Sequence, residues 1–262
     1  MAKPSAAKPA AASDRQAKID AAAKASSTGP NKILIATVVA LVAIIAVVAG
    51  VIIADQSTKA DESTGGNAVP AAAGEMGAGF VANDAVELEP GAPTLDIYED
   101  FRCPACHRAY AVFHPTVAEH AEQGKIKLVY HFKTVIDSQT RTDESLKAAS
   151  AAMCAADAGK FTEYHEVILD GIVGNGGQQP EWTPETFTSA AEQAGITGPE
   201  LETFDQCVAD GSYDRYIRSV DEQSARDGVT GTPLYRLNGE DVDFAQVNTP
   251  ELLAEAIANA TG

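Results

Sequence analysis

The sequence predicts an α/β fold for the part of the chain that follows residue 80. The first observation is a strand–helix–strand order between residues 85 and 135. The second is a run of segments, about 137–228, in which only helices are expected. The third is a closing order of two strands and one helix. Because a strand–helix–strand unit is the building block of α/β domains, this order predicts one such domain with an all-helical insertion.

The first unit has recognisable strand and helix patterns. Short strands are predicted at Ala85–Leu88 and Pro93–Tyr98, on either side of the turn residues EPGAP. Pro104–Gln123 has the pattern of a helix that ends at a glycine, although Pro115 is expected to kink or divide it. Lys125–Val135 is apolar and β-branched, which indicates a buried strand.

Glycine and proline residues mark the boundaries of the remaining predicted elements. Leu234–Leu237 and Asp241–Phe244 flank Asn238-Gly239, which is the strongest short signal for a β-hairpin. Thr249–Ala260 is expected to be a helix whose first turn is capped by its threonine. The insertion contains four segments without β-branched runs, which are predicted to be helical: Glu144–Ala158, Phe161–Leu169, Pro184–Ala194 and Pro199–Arg226.

The segment before the domain has the composition of a membrane anchor. Ile33–Ala54 has 22 residues, no charged side chain and a single polar one, Thr37. As a helix it spans roughly 33 Å, which matches a hydrocarbon core of about 30 Å. A cleaved signal peptide is the main alternative, but its apolar region usually has about 7 to 15 residues. Basic residues precede the span, so the positive-inside rule places the N-terminus in the cytoplasm.

Charge and composition divide the chain into four parts. We expect a disordered cytoplasmic tail at 1–32, a transmembrane helix at 33–54, a flexible stalk at 55–79 and the folded domain at 80–262. Residues 1–32 carry six basic and two acidic side chains, and the rest carries 13 basic and 35 acidic ones, for a net charge of −18. This acidic excess argues against nucleic acid as a partner. The sequence therefore predicts a single-pass protein of the cell membrane with an extracytoplasmic domain.

The four cysteines carry the chemistry of this domain. An even number in an exported domain indicates disulfides. Cys103-Pro104-Ala105-Cys106 falls where a strand ends and a helix begins, so that Cys103 is expected to cap the helix and Pro104 to be its first residue. A Cys103 thiolate can accept hydrogen bonds from the free amides of Ala105 and Cys106, and the helix N-terminus lowers its pKa further. Cys103 is therefore the expected nucleophile, and Cys106 the thiol that resolves a mixed disulfide.

Other interpretations of this motif remain open from spacing alone. A structural disulfide would be strained at a helix start, and a zinc half-site would need two further ligands, so no metal site is expected. The sequence from Cys103 to His107 also satisfies C-x-x-C-H, the signature of c-type haem attachment, with Met76 or Met153 as a second axial ligand. The position of the motif after a strand favours a redox-active cysteine pair.

Three stretches together resemble a known family. They are YEDFRCPAC at Tyr98–Cys106, GKFTEYHEVIL at Gly159–Leu169 and GVTGTP at Gly228–Pro233. A strand that ends in a C-x-x-C helix, followed by a helical insertion and a Gly-Thr-Pro loop, resembles DsbA-like thiol oxidoreductases of the thioredoxin fold. The resemblance extends from about Val81 to the C-terminus. The anchor, the stalk and the second cysteine pair are most similar to membrane-tethered enzymes of actinobacterial type.

The resemblance implies roles for further residues. Thr232 and Pro233 are expected to form a cis peptide beside the cysteine pair, where the backbone binds an extended substrate segment. Asp100, which follows Glu99 at the strand end, matches an acidic position that manages the proton of the resolving thiol, although a solvated charge would look the same. The strongest oxidants of the family carry histidine where this chain has Ala105. We therefore expect a weaker oxidant, of roughly −130 to −200 mV, with His107 as a partial substitute.

Cys154 and Cys207 remain if the other two cysteines form a pair. A bridge between them would close a loop of 53 residues and stabilise the fold by ~4 kcal/mol. The alternatives are two separate buried thiols or a second redox centre.

The resemblance implies an enzyme that introduces disulfides into reduced, unfolded exported proteins through Cys103 and Cys106. It also implies a membrane quinone-linked reoxidase as partner and no bound cofactor. A reductase or isomerase of the same fold, a c-type cytochrome and a non-enzymatic binding module are the alternatives.

Overall fold

The computed structural model describes residues 66–261. The predicted tail, the predicted membrane span and residues 55–65 of the predicted stalk lie outside the described residues. Within 66–261, no helix is both long and apolar enough to cross a bilayer. The described strands are β1 (Phe80–Val81), β2 (Thr94–Glu99), β3 (Lys127–Phe132), β4 (Leu234–Leu237) and β5 (Glu240–Asp241).

The described helices comprise one after β2, a group between β3 and β4, and one at the end. They are α1 (Pro104–Glu122), α2 (Val135–Thr140), α3 (Glu144–Asp157), α4 (Phe161–Gly174), α5 (Pro184–Gln193), α6 (Pro199–Ala209), α7 (Asp214–Arg226) and α8 (Pro250–Ala260). The α/β fold with an all-helical insertion is therefore confirmed.

The strands form one mixed sheet in the order β1-β3-β2-β4-β5. β2 runs parallel to β3 and antiparallel to β4, and the two outer strands are antiparallel to their neighbours. Ile97 of β2 lies opposite Tyr130 on one side and Tyr235 on the other. β2 is thus the central strand, and the chain that leaves its C-terminal end leads directly to the cysteine motif.

Helices pack against this sheet and against each other to form the core. α1 packs against α4 and α8, while α7 packs against β3. Inside the insertion, α3 is the central helix and contacts α4, α6 and α7. Ten of its 14 residues are buried, and five of these ten are alanine, so neighbouring helices can approach closely.

The predicted strand at Ala85–Leu88 is wrong, and the edge strand is Phe80–Val81 instead. The side chain of Asn83 explains the difference. Its Oδ1 accepts a hydrogen bond from the Leu128 N–H at 2.9 Å, and its Nδ2 donates to the Ile126 carbonyl at 2.9 Å. An amide side chain therefore takes the place of strand pairing from this point.

Further boundaries differ from the prediction, and the second strand of the hairpin is Glu240–Asp241 rather than Asp241–Phe244. Pro115 does not divide α1, which continues through it with this residue on the exposed face. The chain after β3 turns at Thr134 into the short helix α2 rather than continuing as a strand. The long predicted helix from Pro199 to Arg226 breaks into α6 and α7 at Gly211, whose φ of +58° is a conformation that favours glycine.

Residues 66–79 are packed on the domain, which corrects the boundary of the predicted stalk. The hydroxyl of Tyr216 donates to the Ala78 carbonyl at 2.8 Å, and the Gly77 N–H donates to Ser219 Oγ at 2.8 Å. Both partners belong to α7. The composition of this segment suggested a flexible coil, but its backbone groups bond to α7 and the side chains of Ala68, Val69, Ala72 and Ala73 pack against the core.

Candidate active site

The two cysteines of the motif lie at the start of α1, which follows the central strand β2 in the chain. Cys103 is the N-cap residue, with an extended backbone, and Pro104 is the first helical residue. A turn hydrogen bond from the Cys103 N–H to the Asp100 carbonyl, at 2.9 Å, fixes the approach to the helix. Cys103 and Cys106 are both free thiols and are 7% and 4% exposed.

The surroundings of Cys103 favour its thiolate. A hydrogen bond from the Cys106 thiol is the largest influence and, against the opposing effect of burial, lowers the pKa of Cys103 from about 9 to about 5. The Thr232 side chain adds to this effect. The sequence predicted that the backbone amides of Cys106 and Ala105 would be the main cause of the low Cys103 pKa. In the structure they lower this pKa least. This order is consistent with the absence of a well-aligned cap hydrogen bond to the Cys103 side chain.

Cys106 is held in the opposite state. Burial raises the pKa of the Cys106 thiol far above its ordinary value, and the hydrogen bond to Cys103 and the charge of Glu99 act in the same direction. Cys106 is therefore a protonated thiol at neutral pH, while Cys103 is a thiolate. One turn of helix thus presents a nucleophile and a proton-bearing neighbour.

The loop before β4 lies against the nucleophile, although 129 positions separate them. The Thr232–Pro233 peptide bond is cis. Cys103 Sγ lies 3.5 Å from the Thr232 carbonyl oxygen, to which it donates only when it is protonated. The Thr232 hydroxyl is buried and has no well-aligned partner among the described residues, so it can turn towards a Cys103 thiolate.

Asp100 is fully buried, but its carboxylate binds the loop rather than a cysteine. Oδ1 accepts from the Arg102 N–H and Oδ2 from the Ile136 N–H, each at 2.9 Å. Burial raises the pKa of Asp100 to about 6, against the opposing effect of these N–H donors. The backbone N–H of Asp100, not its carboxylate, approaches Cys106.

Glu99 is the acidic side chain whose charge acts on Cys106. It is 5% exposed, and its Oε1 lies 2.6 Å from Nε2 of His165 in α4. The signal for this placement was the two-residue period of β2, because Glu99 follows the inward-facing Leu95 and Ile97 on the same face. His165 had no comparable local signal, since it lies 66 positions away.

The side chains of His107 and Arg102, next to the motif, bond to groups other than the two cysteines. His107 is 3% exposed, and its Nε2 lies 2.6 Å from the Phe101 carbonyl. This contact also occupies the ring nitrogen that a C-x-x-C-H haem site would need as an axial ligand. Arg102 forms ion pairs with Asp137 at 2.9 Å and with Glu144 at 2.8 Å, so its charge is largely neutralised.

The other two cysteines lie away from this site. Cys154 of α3 and Cys207 of α6 form a disulfide with a Cα–Cα distance of 5.9 Å. Pro104 is exposed and Ala105 half-buried, so both are accessible beside the Cys103 thiol. Within residues 66–261, no group of three or more acidic, histidine or cysteine side chains is arranged to hold a metal ion.

Comparison with known proteins places this geometry in a family. The family model described as thioredoxin matches residues 89–259. Oxidised DsbA from Mycobacterium tuberculosis is 27% identical over 68% of this chain and 90% of that chain, with a TM-score of 0.54. The disulfide bond oxidoreductase DsbG of the same organism is 27% identical over 68% and 85%, with a TM-score of 0.54.

A third structure shows the same fold at lower identity. The thiol-disulfide oxidoreductase MdbA from Actinomyces oris is 22% identical over 66% of this chain and 83% of that chain, with a TM-score of 0.56. No curated protein sequence matches the chain. The chain therefore belongs to the thioredoxin family, and its predicted resemblance to DsbA-like thiol-disulfide oxidoreductases is confirmed.

Proposed function

We propose that this protein is an extracytoplasmic thiol oxidase that introduces disulfides into reduced, unfolded exported proteins. The observation that carries the proposal is the opposite displacement of the two thiol pKa values, to about 5 for Cys103 and far upward for Cys106. A stabilised thiolate favours the reduced form of the enzyme. A pair with a favoured reduced form is a good oxidant in its disulfide form.

The reaction begins with the oxidised Cys103–Cys106 pair. A substrate thiolate attacks Cys103 Sγ, the bond between the two enzyme sulfurs breaks, and Cys106 leaves with the electron pair and takes up one proton. The second substrate thiolate then attacks the substrate sulfur of the mixed disulfide. Cys103 leaves as a thiolate, which its low pKa makes a good leaving group. Two electrons pass to the enzyme, and of the two substrate protons one is released.

The Thr232–Pro233 loop would hold the substrate during this exchange. The loop borders Cys103, and the 3.5 Å between Cys103 Sγ and the Thr232 carbonyl oxygen shows how close its backbone lies to the sulfur. An extended substrate segment can pair with that backbone whatever its own sequence. The exposed Pro104 and the half-buried Ala105 supply an apolar border that carries no charge.

The proposed setting is the outer face of the cell membrane. The uncharged segment at 33–54 would anchor the chain with its N-terminus in the cytoplasm, and a membrane quinone-linked reoxidase would restore the disulfide. A tether to the same membrane would raise the effective concentration of the two partners. These partners are carried over from the resemblance to DsbA-like enzymes.

The test is the redox equilibrium of the chain with glutathione. Aliquots equilibrated in graded ratios of reduced to oxidised glutathione are alkylated, and intact mass counts the free thiols. We expect one pair to open at roughly −130 to −200 mV while a second pair stays oxidised. A pair that opens only near about −270 mV would instead indicate a reductase. A mass excess of one haem, with no titrating pair, would indicate a cytochrome.

A further inference from the structure

A large cavity within the helical insertion takes no part in the exchange at Cys103. Its volume is about 770 Å³, which falls in the range of about 300–1,000 Å³ that is usual for ligand pockets. Its walls come from α3, α5, α6 and the first turn of α7. Two aromatic side chains lie in the lining, Trp182 and Phe187, which are 9% and 1% exposed. The cavity can therefore hold a ligand of the size of a short peptide segment.

The charged part of the lining is acidic. It consists of five carboxylates and one ammonium group: Asp143, Glu185, Glu192, Asp205, Asp214 and Lys147. The Lys147 ammonium is already paired, because its Nζ lies 3.0 Å from Asp143 Oδ2. Among residues 66–261, the other four carboxylates form no ion pair. The cavity thus has an excess of negative charge, which a cationic ligand would neutralise.

Two polar side chains in the lining lack a good partner. Ser150 is 3% exposed, and its hydroxyl makes no well-aligned hydrogen bond within the described part of the chain. The half-buried Asp214 lies beside it. Burial raises the pKa of Asp214, and the neighbouring Ser150 hydroxyl acts against this effect. Because a buried polar group without a hydrogen bond is costly, both side chains would be stabilised by a ligand that brings N–H donors.

The distribution of the carboxylates favours an organic cation over a metal ion. They are spread over several helices, and within residues 66–261 no group of three or more acidic, histidine or cysteine side chains is arranged to hold a metal ion. The guanidinium of arginine has five N–H donors in one plane and is only weakly hydrated. It can bond to carboxylates and a hydroxyl and can also stack on an indole ring. Arginine is therefore the side chain that fits this lining best.

Trp182 connects the cavity with the active site. Its indole donates to Gln179 Oε1 at 3.2 Å, and the Gln179 amide donates to the Arg102 carbonyl at 2.5 Å. The cavity wall is thus two hydrogen bonds away from the residue that precedes Cys103. An extended peptide advances about 3.3 Å per residue, so roughly three to six residues would span this separation. One substrate segment can therefore reach both places.

We propose that this cavity is a substrate subsite, which binds an arginine of the unfolded polypeptide while a cysteine several residues away reacts at Cys103. The inference rests on the proposed oxidase function and narrows its substrate class to polypeptides with this spacing of arginine and cysteine. Because the subsite contacts the substrate away from the reacting sulfur atoms, it acts on the capture of substrate and not on the exchange step.

The experiment is a single turnover of the oxidised full chain with reduced two-cysteine peptides. Three peptides differ at one position, about four residues from the first cysteine, which carries arginine, glutamine or glutamate. At subsaturating concentrations we expect the arginine peptide to react about 3- to 10-fold faster than the glutamine peptide, as a few partly exposed charge contacts allow. The glutamate peptide should react more slowly than either. Salt at about 0.5 M should reduce these differences, because it screens exposed charges.

Two controls separate the subsite from general attraction of cations by an acidic protein. An arginine placed directly beside the cysteine cannot reach the cavity and should give no preference. The double variant Glu192→Gln, Asp205→Asn removes two charges from the lining with little change of shape, and we expect the ratio of arginine to glutamine rates to fall below about 2. The matched double variant Glu255→Gln, Asp84→Asn removes two exposed charges outside the cavity and should keep the wild-type ratio. Any general loss of activity affects both peptides and cancels in the ratio.

Trp182 supplies a readout that does not depend on turnover. It is the single tryptophan of the chain and lies in the cavity lining. Peptides without aromatic residues, in which serine replaces both cysteines, are added to the oxidised chain. The arginine peptide should change the Trp182 fluorescence with saturation, and the glutamine peptide should not do so at the same concentrations.

The results separate two kinds of failure. The subsite is wrong if the arginine and glutamine peptides react equally fast with the wild type, if the preference survives Glu192→Gln, Asp205→Asn, or if the arginine peptide leaves Trp182 fluorescence unchanged. The oxidase function is wrong if the wild type oxidises none of the cysteine peptides, and the fluorescence titration then still decides whether the cavity binds arginine.

Discussion

Cys103 and Cys106 lie on one turn of helix, yet their surroundings act on the two thiols in opposite directions. The hydrogen bond between them is shared: it stabilises the Cys103 thiolate and holds the proton on Cys106. Either cysteine therefore depends on the other for its ionisation, and a single substitution should change both.

We predict that Cys106→Ala raises the pKa of Cys103 more than Thr232→Val does. The Cys106 thiol is the largest favourable influence on the Cys103 thiolate, and the Thr232 side chain comes next among the favourable ones. Thiolate absorbance at 240 nm, recorded against pH in each reduced variant, gives the comparison. The wild type should show one transition near pH 5 and no second one below pH 9. Equal values for the wild type and Cys106→Ala would contradict the assignment.

The lowered pKa of Cys103 also predicts how the stability of the reduced form depends on pH. The folded pKa of Cys103, about 5, lies below the ordinary value near 9. The thiolate therefore stabilises the fold fully above pH 9, and this contribution is lost as pH falls through 5. The oxidised form has no such thiolate. The melting temperature of the reduced form relative to the oxidised form should fall between pH 9 and pH 5.

Asp100 is an internal control for that experiment. Its pKa is raised to about 6, so its contribution is greatest below pH 4 and declines as pH rises through 6. This effect has the opposite sign and is common to both redox forms, so the difference between the two melting curves cancels it. A difference that does not vary between pH 5 and pH 9 would refute the low pKa of Cys103.

At the scale of elements, the disulfide between α3 and α6 should matter for stability and not for exchange. It closes a loop of 53 residues, which the chain-entropy model values at ~4 kcal/mol. For a domain of this size, that corresponds to a fall in melting temperature of roughly 8–16 °C. We predict this fall for the double variant Cys154→Ala, Cys207→Ala, with peptide oxidation unchanged at 20 °C. Lost turnover at unchanged stability would indicate a redox role for this pair.

A second prediction at this scale concerns the segment between α4 and α5. The Gln179 amide donates to the Arg102 carbonyl at 2.5 Å, and the indole of Trp182 donates to Gln179 Oε1 at 3.2 Å. Trp182 is the single tryptophan of the chain and is connected in this way to the residue before Cys103. Its fluorescence should therefore differ between the oxidised and reduced forms. Gln179→Ala should reduce this difference, whereas Gln193→Ala, on the same insertion, should not.

Which elements the sequence could predict depends on where their determinants lie. The start of α1 and the start of α8 were predictable because a capping residue and a proline specify each within a few positions. The packing of 66–79 was not, because it depends on Tyr216 and Ser219, about 140 positions away. The false strand at Ala85–Leu88 has the same cause, since Asn83 bonds to a partner 45 positions distant.

The residues of the candidate site also differ in whether the sequence alone could identify them. Sequence spacing and the family resemblance together identified the cysteine motif and the Thr232–Pro233 loop, which the structure brings into contact. The two-residue period of β2 turns Glu99 inward with Leu95 and Ile97, but only the fold shows that Cys106 is the group it meets there. His165 became visible only when α4 was placed behind the sheet.

At the scale of the whole molecule, the contacts of residues 66–79 predict where the domain can be shortened. A chain that begins at residue 66 should melt within about 2 °C of the full chain, because the sequence places residues 1–65 outside the folded domain. This shift corresponds to less than about 1 kcal/mol in the free energy of unfolding. A chain that begins at residue 80 should melt several degrees lower, because it lacks the backbone partners of Tyr216 and Ser219. Equal melting temperatures for the two truncations would show that this segment contributes nothing to folding.

The bridge between α3 and α6 has a consequence for how new copies of this protein mature. Under the proposed function, a chain that carries such a bridge and supplies oxidising equivalents to other chains is itself a substrate of copies made earlier. Each copy already finished can finish the next. Cells that begin without any copy should therefore accumulate the mature form with a lag, and that lag should vanish when a small amount of finished protein is present at the start.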